Sequence, residues 1–170
     1  MVSHSPALQT PALQACAFRA GGHCFAVESD CVAEVLRTAS LTRVPLAPEA
    51  IVGLLHLRGR IVPVIDVCRR LGLEAAPADR PRTNLVIRVA DDCYSLLVDE
   101  VLDVHAIDRD RIEQPTAQGG TSTADAVSGI FAAEDHLIHI LSPERLVQPL
   151  QKQRSIPFVR HGVSHGGHGG

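Results

Sequence analysis

The chain has 170 residues, 45% of them hydrophobic and 21% charged, with a formal net charge of -3. That is the length of one domain or two small lobes, with a core large enough to need no staples. The balance lacks the basic footprint of a nucleic-acid binder, and 3% aromatic residues supply no stacking platforms for single strands. The cysteines, Cys16, Cys24, Cys31, Cys68 and Cys93, are odd in number and contain no C-x-x-C pair. This argues against a zinc ribbon and against a disulfide framework, so reduced thiols are expected. No apolar run reaches the roughly 18 residues of a membrane span. The residues before Cys16 lack the cationic start and apolar stretch of a signal peptide. The expectation is a soluble, cytoplasmic protein.

In chain order, residues 1–14 read as a flexible leader. Cys16–Ala20 and Cys24–Val27 flank Gly21-Gly22, a good hairpin signal. In Asp30–Leu36 the apolar residues Val32, Val35 and Leu36 fit one helical turn. Leu41–Val44 alternates and stops at Pro45, so it reads as a strand. Ile51–Leu57 and Ile61–Val67 are two more strands around an Arg-Gly-Arg pivot, with Pro63 marking an edge or a bulge. Cys68–Leu71 is a short helical turn closed by Gly72. A Pro- and charge-rich bridge, 74–82, separates this half from strands Leu85–Val89, Tyr94–Val98 and Val101–Ile107. Residues 114–126 are a long polar loop. Val127–Ala132 and His136–Leu141 make another hairpin, and Ser142-Pro-Glu-Arg-Leu146 opens a helix with serine at the cap. From 148 to 170 the chain is a polar, then Gly/His-rich, flexible tail.

The halves repeat. Ile51–Leu71 aligns without gaps on Val127–Val147, matching Gly53 to Gly129 and Arg69 to Arg145. About five short strands per half at even spacing suggest two small closed or nearly closed barrels. The Arg58-Gly59 pivot becomes Glu134-Asp135 in the second copy, so the hairpin does not need arginine to form.

The chemical motifs are weak. Gly162-Val-Ser-His-Gly166 matches the nucleophile elbow, but no helix can follow it in a glycine tail. His161, His165 and His168 could hold a metal, though glycine gives no preorganisation; a metal-binding protein using this tail is the alternative reading. His136 and His139, three apart in one strand, are expected on opposite faces. Asp91-Asp92 reads as a turn, and Cys68, beside Arg69 and Arg70, as a buried small hydrophobe sooner than an activated thiol. Arg58 and Arg60 share a face with His56 if the strand continues into the turn. A half-buried arginine needs an acid, and Glu34 is the candidate, so an Arg58–Glu34 ion pair is predicted.

The run Gly53-Leu-Leu-His-Leu-Arg-Gly-Arg-Ile-Val-Pro-Val-Ile-Asp66 resembles the signature of CheW-like domains, the bacterial chemotaxis coupling proteins. The resemblance covers roughly residues 15–147 and includes Phe25-Ala-Val27 with Val32 and Glu34, the Leu96–Val101 run and Gly129. It implies an all-β fold with a few short helices: two tandem five-stranded β-barrel subdomains, about 15–82 and 83–147. It implies a non-catalytic adaptor without a cofactor, joining a CheA-type histidine kinase to the cytoplasmic tips of methyl-accepting chemoreceptors, with ring-like assemblies. The positions that match receptor-binding residues of the family are Val32, Glu34, His56, Arg58 and Gly59. His56 departs from the usual asparagine, and the Gly/His tail is not a feature of the family. With no kinase segment or receiver domain in 170 residues, a stand-alone coupling protein is expected. The behaviour it serves, whether flagellar, pilus-based, surface growth or cyclic-di-GMP control, stays open.

Overall fold

Hairpins build most of the molecule. A computed structural model describes residues 10–37, 39–75, 77, 79–116 and 122–152. Strands β1 (Leu13–Ala20) and β2 (His23–Glu28) pair antiparallel around Gly21 and Gly22, whose φ values of 56° and 79° suit glycine and the twist of a two-residue turn. A 3₁₀ turn at Ser29–Cys31 leads into β3 (Val32–Leu36), then β4 (Ile51–Leu57), β5 (Arg60–Asp66) and helix α1 (Val67–Leu71). The second half runs β6 (Thr83–Val89), β7 (Asp92–Val98), β8 (Glu100–Ile107), β9 (Ile112–Glu113), α2 (Ser122–Ala126), β10 (Val127–Ala132), β11 (Leu137–Leu141) and α3 (Pro143–Lys152).

Two sheets result. One has the order β8-β1-β2-β11-β10-β9 and the other β3-β6-β7-β5-β4. The halves therefore exchange strands across residues 82/83: β1 and β2 join the second half, while β3, β4 and β5 take in β6 and β7. The exchange is symmetric. Swapping β1 with β6, β2 with β7, β3 with β8, β4 with β10 and β5 with β11 turns one strand order into the other.

The internal repeat is structural as well as sequential. Ile51 lies opposite Ile65, Gly53 opposite Val64 and Leu55 opposite Val62, with a register shift between Ile51 and Gly53. Seventy-six residues later Val127 lies opposite Leu141, Gly129 opposite Ile140 and Phe131 opposite Ile138, with the same shift. Both glycines are required by a crossing segment. A Cβ on Gly53 would come 2.9 Å from the Thr42 carbonyl oxygen, and one on Gly129 would strike the Ile112 side chain.

Three apolar layers follow from the alternation along strands. Ala15, Ala17 and Ala26 point inside the curled first sheet with Ile107, Ile138 and Ile140. Cys16, Phe18, Phe25 and Val27 alternate with them and point outward, between the sheets, against Leu85, Ile87, Leu96 and Val98. Leu55, Val62 and Val64 fill the interior of the second sheet. Small residues sit where the curl is tight; the Phe18–Phe25 ring pair, 6.0 Å between centroids, fills the wider interlayer. The expected five-stranded units are these sheets, curled with open edges: among the described residues no ladder joins β3 to β4 or β8 to β9.

Four local expectations change. Residues 32–36 form a strand, because Val32, Glu34 and Leu36 turn inward while Ala33 and Val35 face solvent, a period of two. Leu41–Val44 contributes only a bridge from Thr42 to Leu54, the counterpart of β9 beside β10. The polar loop closes early, with Ser122–Ala126 already helical. Pro63 lies in an interior strand, yet the β5–β7 ladder starts only at Val64, so its missing N–H costs no ladder bond.

The helices are held by polar groups. Asp66 caps α1 by accepting from Arg69 N at 3.3 Å, and Gly72 closes it at φ 67°. Ser142, at the repeat-equivalent position, caps α3 by accepting from Arg145 N at 3.4 Å. Pro149 inside α3 has no N–H for the Arg145 carbonyl four residues back. The buried Arg70 replaces it, donating Nη2 to Arg145 O and Nε to Leu146 O, both at 2.8 Å.

Candidate functional site

The corner around Arg58 begins with backbone. Arg58 (φ 49°) and Gly59 (φ 78°) are both left-handed, the geometry of a type I′ hairpin turn between the opposed pair Leu57 and Arg60. The turn ends the strand alternation. His56 lies opposite the exposed Ile61, whereas Arg60 lies opposite Leu57, so His56 and Arg60 fall on different faces of the hairpin. The shared face expected for His56, Arg58 and Arg60 does not form, because the left-handed pair at the tip resets the period.

The expected ion pair is present. Arg58 Nη2 lies 3.3 Å from Glu34 Oε2. It joins β3 and the β4–β5 tip, the two edges of one sheet, and so marks how strongly that sheet curls. The Arg58 side chain is 80% exposed and that of Glu34 28%, so the arginine is a solvated tip and not the half-buried group expected. Such a pair contributes about 0–1 kcal/mol to folding. Its value lies in where it holds the charges. Val32, two residues before Glu34, packs on the interlayer core, and Leu36, two after, packs inside the second sheet. Glu34 is carried on a strand anchored at both ends.

At the other end of β5, away from this corner, Asp66 enters a polar hub that the sequence reading did not single out. Arg82, from the bridge before β6, donates Nη1 to Asp66 Oδ2 at 2.7 Å and Nη2 to Leu97 O at 3.1 Å. Its Nε lies 3.6 Å from Asp99 Oδ1, and Asp99 Oδ2 accepts from Gly21 N at 2.8 Å. The chain of contacts ties β5 of one sheet to the β1–β2 turn of the other. Burial raises the Asp66 pKa and the Arg82 bonds lower it; the bonds prevail, leaving the carboxyl below its usual range. The acid at the end of the Pro-Val-Ile-Asp run was the available signal for this hub, since a buried acid demands a cation.

The remaining candidates fall in place. Cys68 is fully buried in the interlayer core. Ala90 and Asp91 form the β6–β7 turn between the opposed Val89 and Asp92. His136 lies in the β10–β11 turn, before the strand begins, so it lines the same cleft as His139 and the expected opposite faces do not apply. His161, His165, His168 and the Gly162–Gly166 motif lie outside the described residues. Among the described residues no group of three or more His, Cys, Asp or Glu side chains could hold a metal ion. No helix among them is long and apolar enough to cross a membrane.

A doubled β unit that presents a charged hairpin tip on a rigid corner has the form of a scaffold, a surface that is touched and not a cavity that transforms. Comparison with known proteins gives that class its family. Residues 14–151 match the model of the CheW-like domain. The chain is 30% identical over 131 residues to Protein PilI of Pseudomonas aeruginosa, covering 77% of this chain and 73% of that one. It is 30% identical over 138 residues to a probable chemotaxis protein CheW of Rhizobium etli, covering 81% and 88%. The crystal structure of the scaffolding protein TtCheW from Thermoanaerobacter tengcongensis superposes with a TM-score of 0.74 at 29% identity, covering 82% of this chain and 94% of that one. The chain belongs to the CheW-like domain family, whose members are non-catalytic scaffold or adaptor proteins of chemotaxis-like signalling.

Proposed function

We propose that this protein couples chemoreceptors to a CheA-type histidine kinase, in the cytoplasm at membrane receptor arrays, and that Val32, Glu34, His56, Arg58 and Gly59 form its receptor-facing surface. The Arg58–Glu34 pair carries the reading: it fixes a guanidinium and a carboxylate at the rim of one curled sheet, where a receptor's helical tip has access to both. The exposed Val35 and Ile61 add apolar surface on the same sheet. Contacts of this size are modest singly and gain strength in arrays through effective concentration. Receptor state then biases the kinase only through contacts that differ between states. The test is receptor-stimulated phosphorylation in a reconstituted receptor–kinase mixture. Arg58→Glu is expected to abolish stimulation while the circular dichroism spectrum stays unchanged; full stimulation by that variant would refute the assignment.

A further inference from the structure

The histidines of this chain are not spread evenly. Five lie among the described residues, and four of them, His23, His105, His136 and His139, line one open cleft of about 980 Å³ beside the β1–β2 and β10–β11 turns. Separate elements deliver them. The β1–β2 hairpin brings His23, β8 brings His105, and the β10–β11 hairpin brings His136 and His139. The rings of His23 and His139 stand edge to face, 6.4 Å between centroids. His139 Nδ1 lies 3.3 Å from the Cys24 carbonyl oxygen, which can only accept, so Nδ1 carries the proton and Nε2 is the nitrogen left to gain a second.

The other charged groups of the lining nearly cancel. Arg19 and Arg80 line the cleft with Asp99, Glu100 and Asp103, two guanidinium groups against three carboxylates. Most of them are engaged. Arg19 Nη1 lies 3.9 Å from Glu100 Oε2, and Asp99 accepts from Gly21 N at 2.8 Å and stands 3.6 Å from Arg82 Nε. His136 pairs with Asp135, just outside the lining. Arg80 and Asp103 have no ion pair among the described residues. With neutral imidazoles the lining therefore carries one negative charge and favours no occupant by its sign. With four imidazolium groups it carries three positive charges. Imidazole is the ordinary side chain that changes charge between about pH 5 and 8, so mild acid reverses the sign of this cleft.

We infer that this cleft is an anion site gated by protonation, which takes up a small, multiply charged phosphate compound when its histidines are charged and releases it when they are neutral. The lining selects the class. Imidazolium and guanidinium groups donate N–H bonds to phosphate oxygens, and Arg80, with no acid of its own, supplies charge that does not titrate. Glu100 and Asp99 are already matched to Arg19 and Arg82, so Asp103 is the one carboxylate of the lining that the anion must avoid. A cleft of this size admits a compound with several phosphate groups. By linkage, a bound anion holds protons on the imidazoles as firmly as those protons hold the anion. The site is separate from the Arg58 corner, and its test does not depend on receptor coupling.

The probe is trimetaphosphate, a ring phosphate that keeps its full charge across this pH range, titrated by calorimetry onto the full-length chain at constant ionic strength. It is expected to bind at least about tenfold more tightly at about pH 5.5 than at about pH 8, with proton uptake that makes the heat depend on the buffer. His23→Gln, His105→Gln and His136→Gln combined should remove most of that difference. All three side chains are exposed, so folding is little affected, and the half-buried His139 stays in place. Arg80→Gln should weaken binding at both pH values. Arg60→Glu, on the exposed β4–β5 tip of the other sheet, should leave binding unchanged. No binding at the lower pH, equal affinity at both, an undiminished pH response in the histidine variant, or loss of binding in Arg60→Glu would overturn the assignment.

Discussion

The β4–β5 hairpin ends in Arg58-Gly59, and the β10–β11 hairpin, 76 residues on, ends in Glu134-Asp135. Their strand registers are the same, down to the shift after the first residue. Their tips differ in charge, and the rims they help to build differ with them. One tip reaches the opposite edge of its sheet and pairs with Glu34; the other stands beside an open cleft. The difference separates what the architecture needs from what has been added to it. Apolar alternation and a glycine at the crossing point are common to both copies, so they make the fold. The arginine belongs to one copy and contributes little to stability, so it belongs to the surface. The same division appears one element later, where a buried Asp66 with an arginine partner and a half-buried Ser142 cap equivalent helices.

The largest expected effect is at Arg82. Arg82→Met leaves Asp66 buried without its cation, and urea unfolding should show a loss of about 3–5 kcal/mol. Ser142→Ala, at the cap equivalent to Asp66, should cost only about 1 kcal/mol. If Asp66→Asn is combined with Arg82→Met, part of the loss should return, since the stranded charge is gone.

The glycines come next. Gly53→Ala drives a Cβ against the Thr42 backbone, which cannot swing aside, and about 1–3 kcal/mol is expected. Gly129→Ala meets Cγ2 of Ile112, a methyl on the β-carbon of a side chain that is stiff at χ1, so a loss of similar size is expected. Parent-like stability in either variant would mean that the crossing segments are not held as described.

Acid should weaken the copy that holds Asp66. The folded-state pKa of Asp66 is lowered, so its contribution to stability is present above the unfolded carboxyl value of about 3.9 and is lost as pH falls through the folded value. Unfolding free energy measured from pH 6 downward should fall below about pH 4, and Asp66→Asn should flatten part of that fall; an unchanged profile would contradict the hub. The smallest stability effects belong to the rim. Arg58→Ala, Glu34→Ala and the double variant should each stay within about 1 kcal/mol of the parent in urea unfolding.

Much of this molecule was legible in the sequence. Short apolar runs around Gly21-Gly22 and Arg58-Gly59 specify hairpins through local geometry, and the repeat of Ile51–Leu71 in Val127–Val147 carried its register into three dimensions. Strand exchange was not legible, because nothing local tells β3 to pair with β6 or β8 with β1. The strand at Val32–Leu36 was masked by Val32, Val35 and Leu36, whose spacing also suits one turn of helix. The Arg58–Glu34 pair was readable from the need of a turn arginine for an acid, but the exposure of Arg58 was not, since it depends on the left-handed turn. Arg82 was hidden in a charge-rich bridge. Its role appears only when β5 delivers Asp66, and the β7–β8 turn Asp99, to the same place.

On the proposed function, the β4–β5 tip is a contact surface and not a structural brace. Receptor-stimulated kinase activity of the Arg58→Glu variant, with its melting temperature recorded beside it, separates the two. A contact surface predicts loss of stimulation with the melting temperature held close to the parent value. Retained stimulation, or loss only together with a lowered melting temperature, would contradict it.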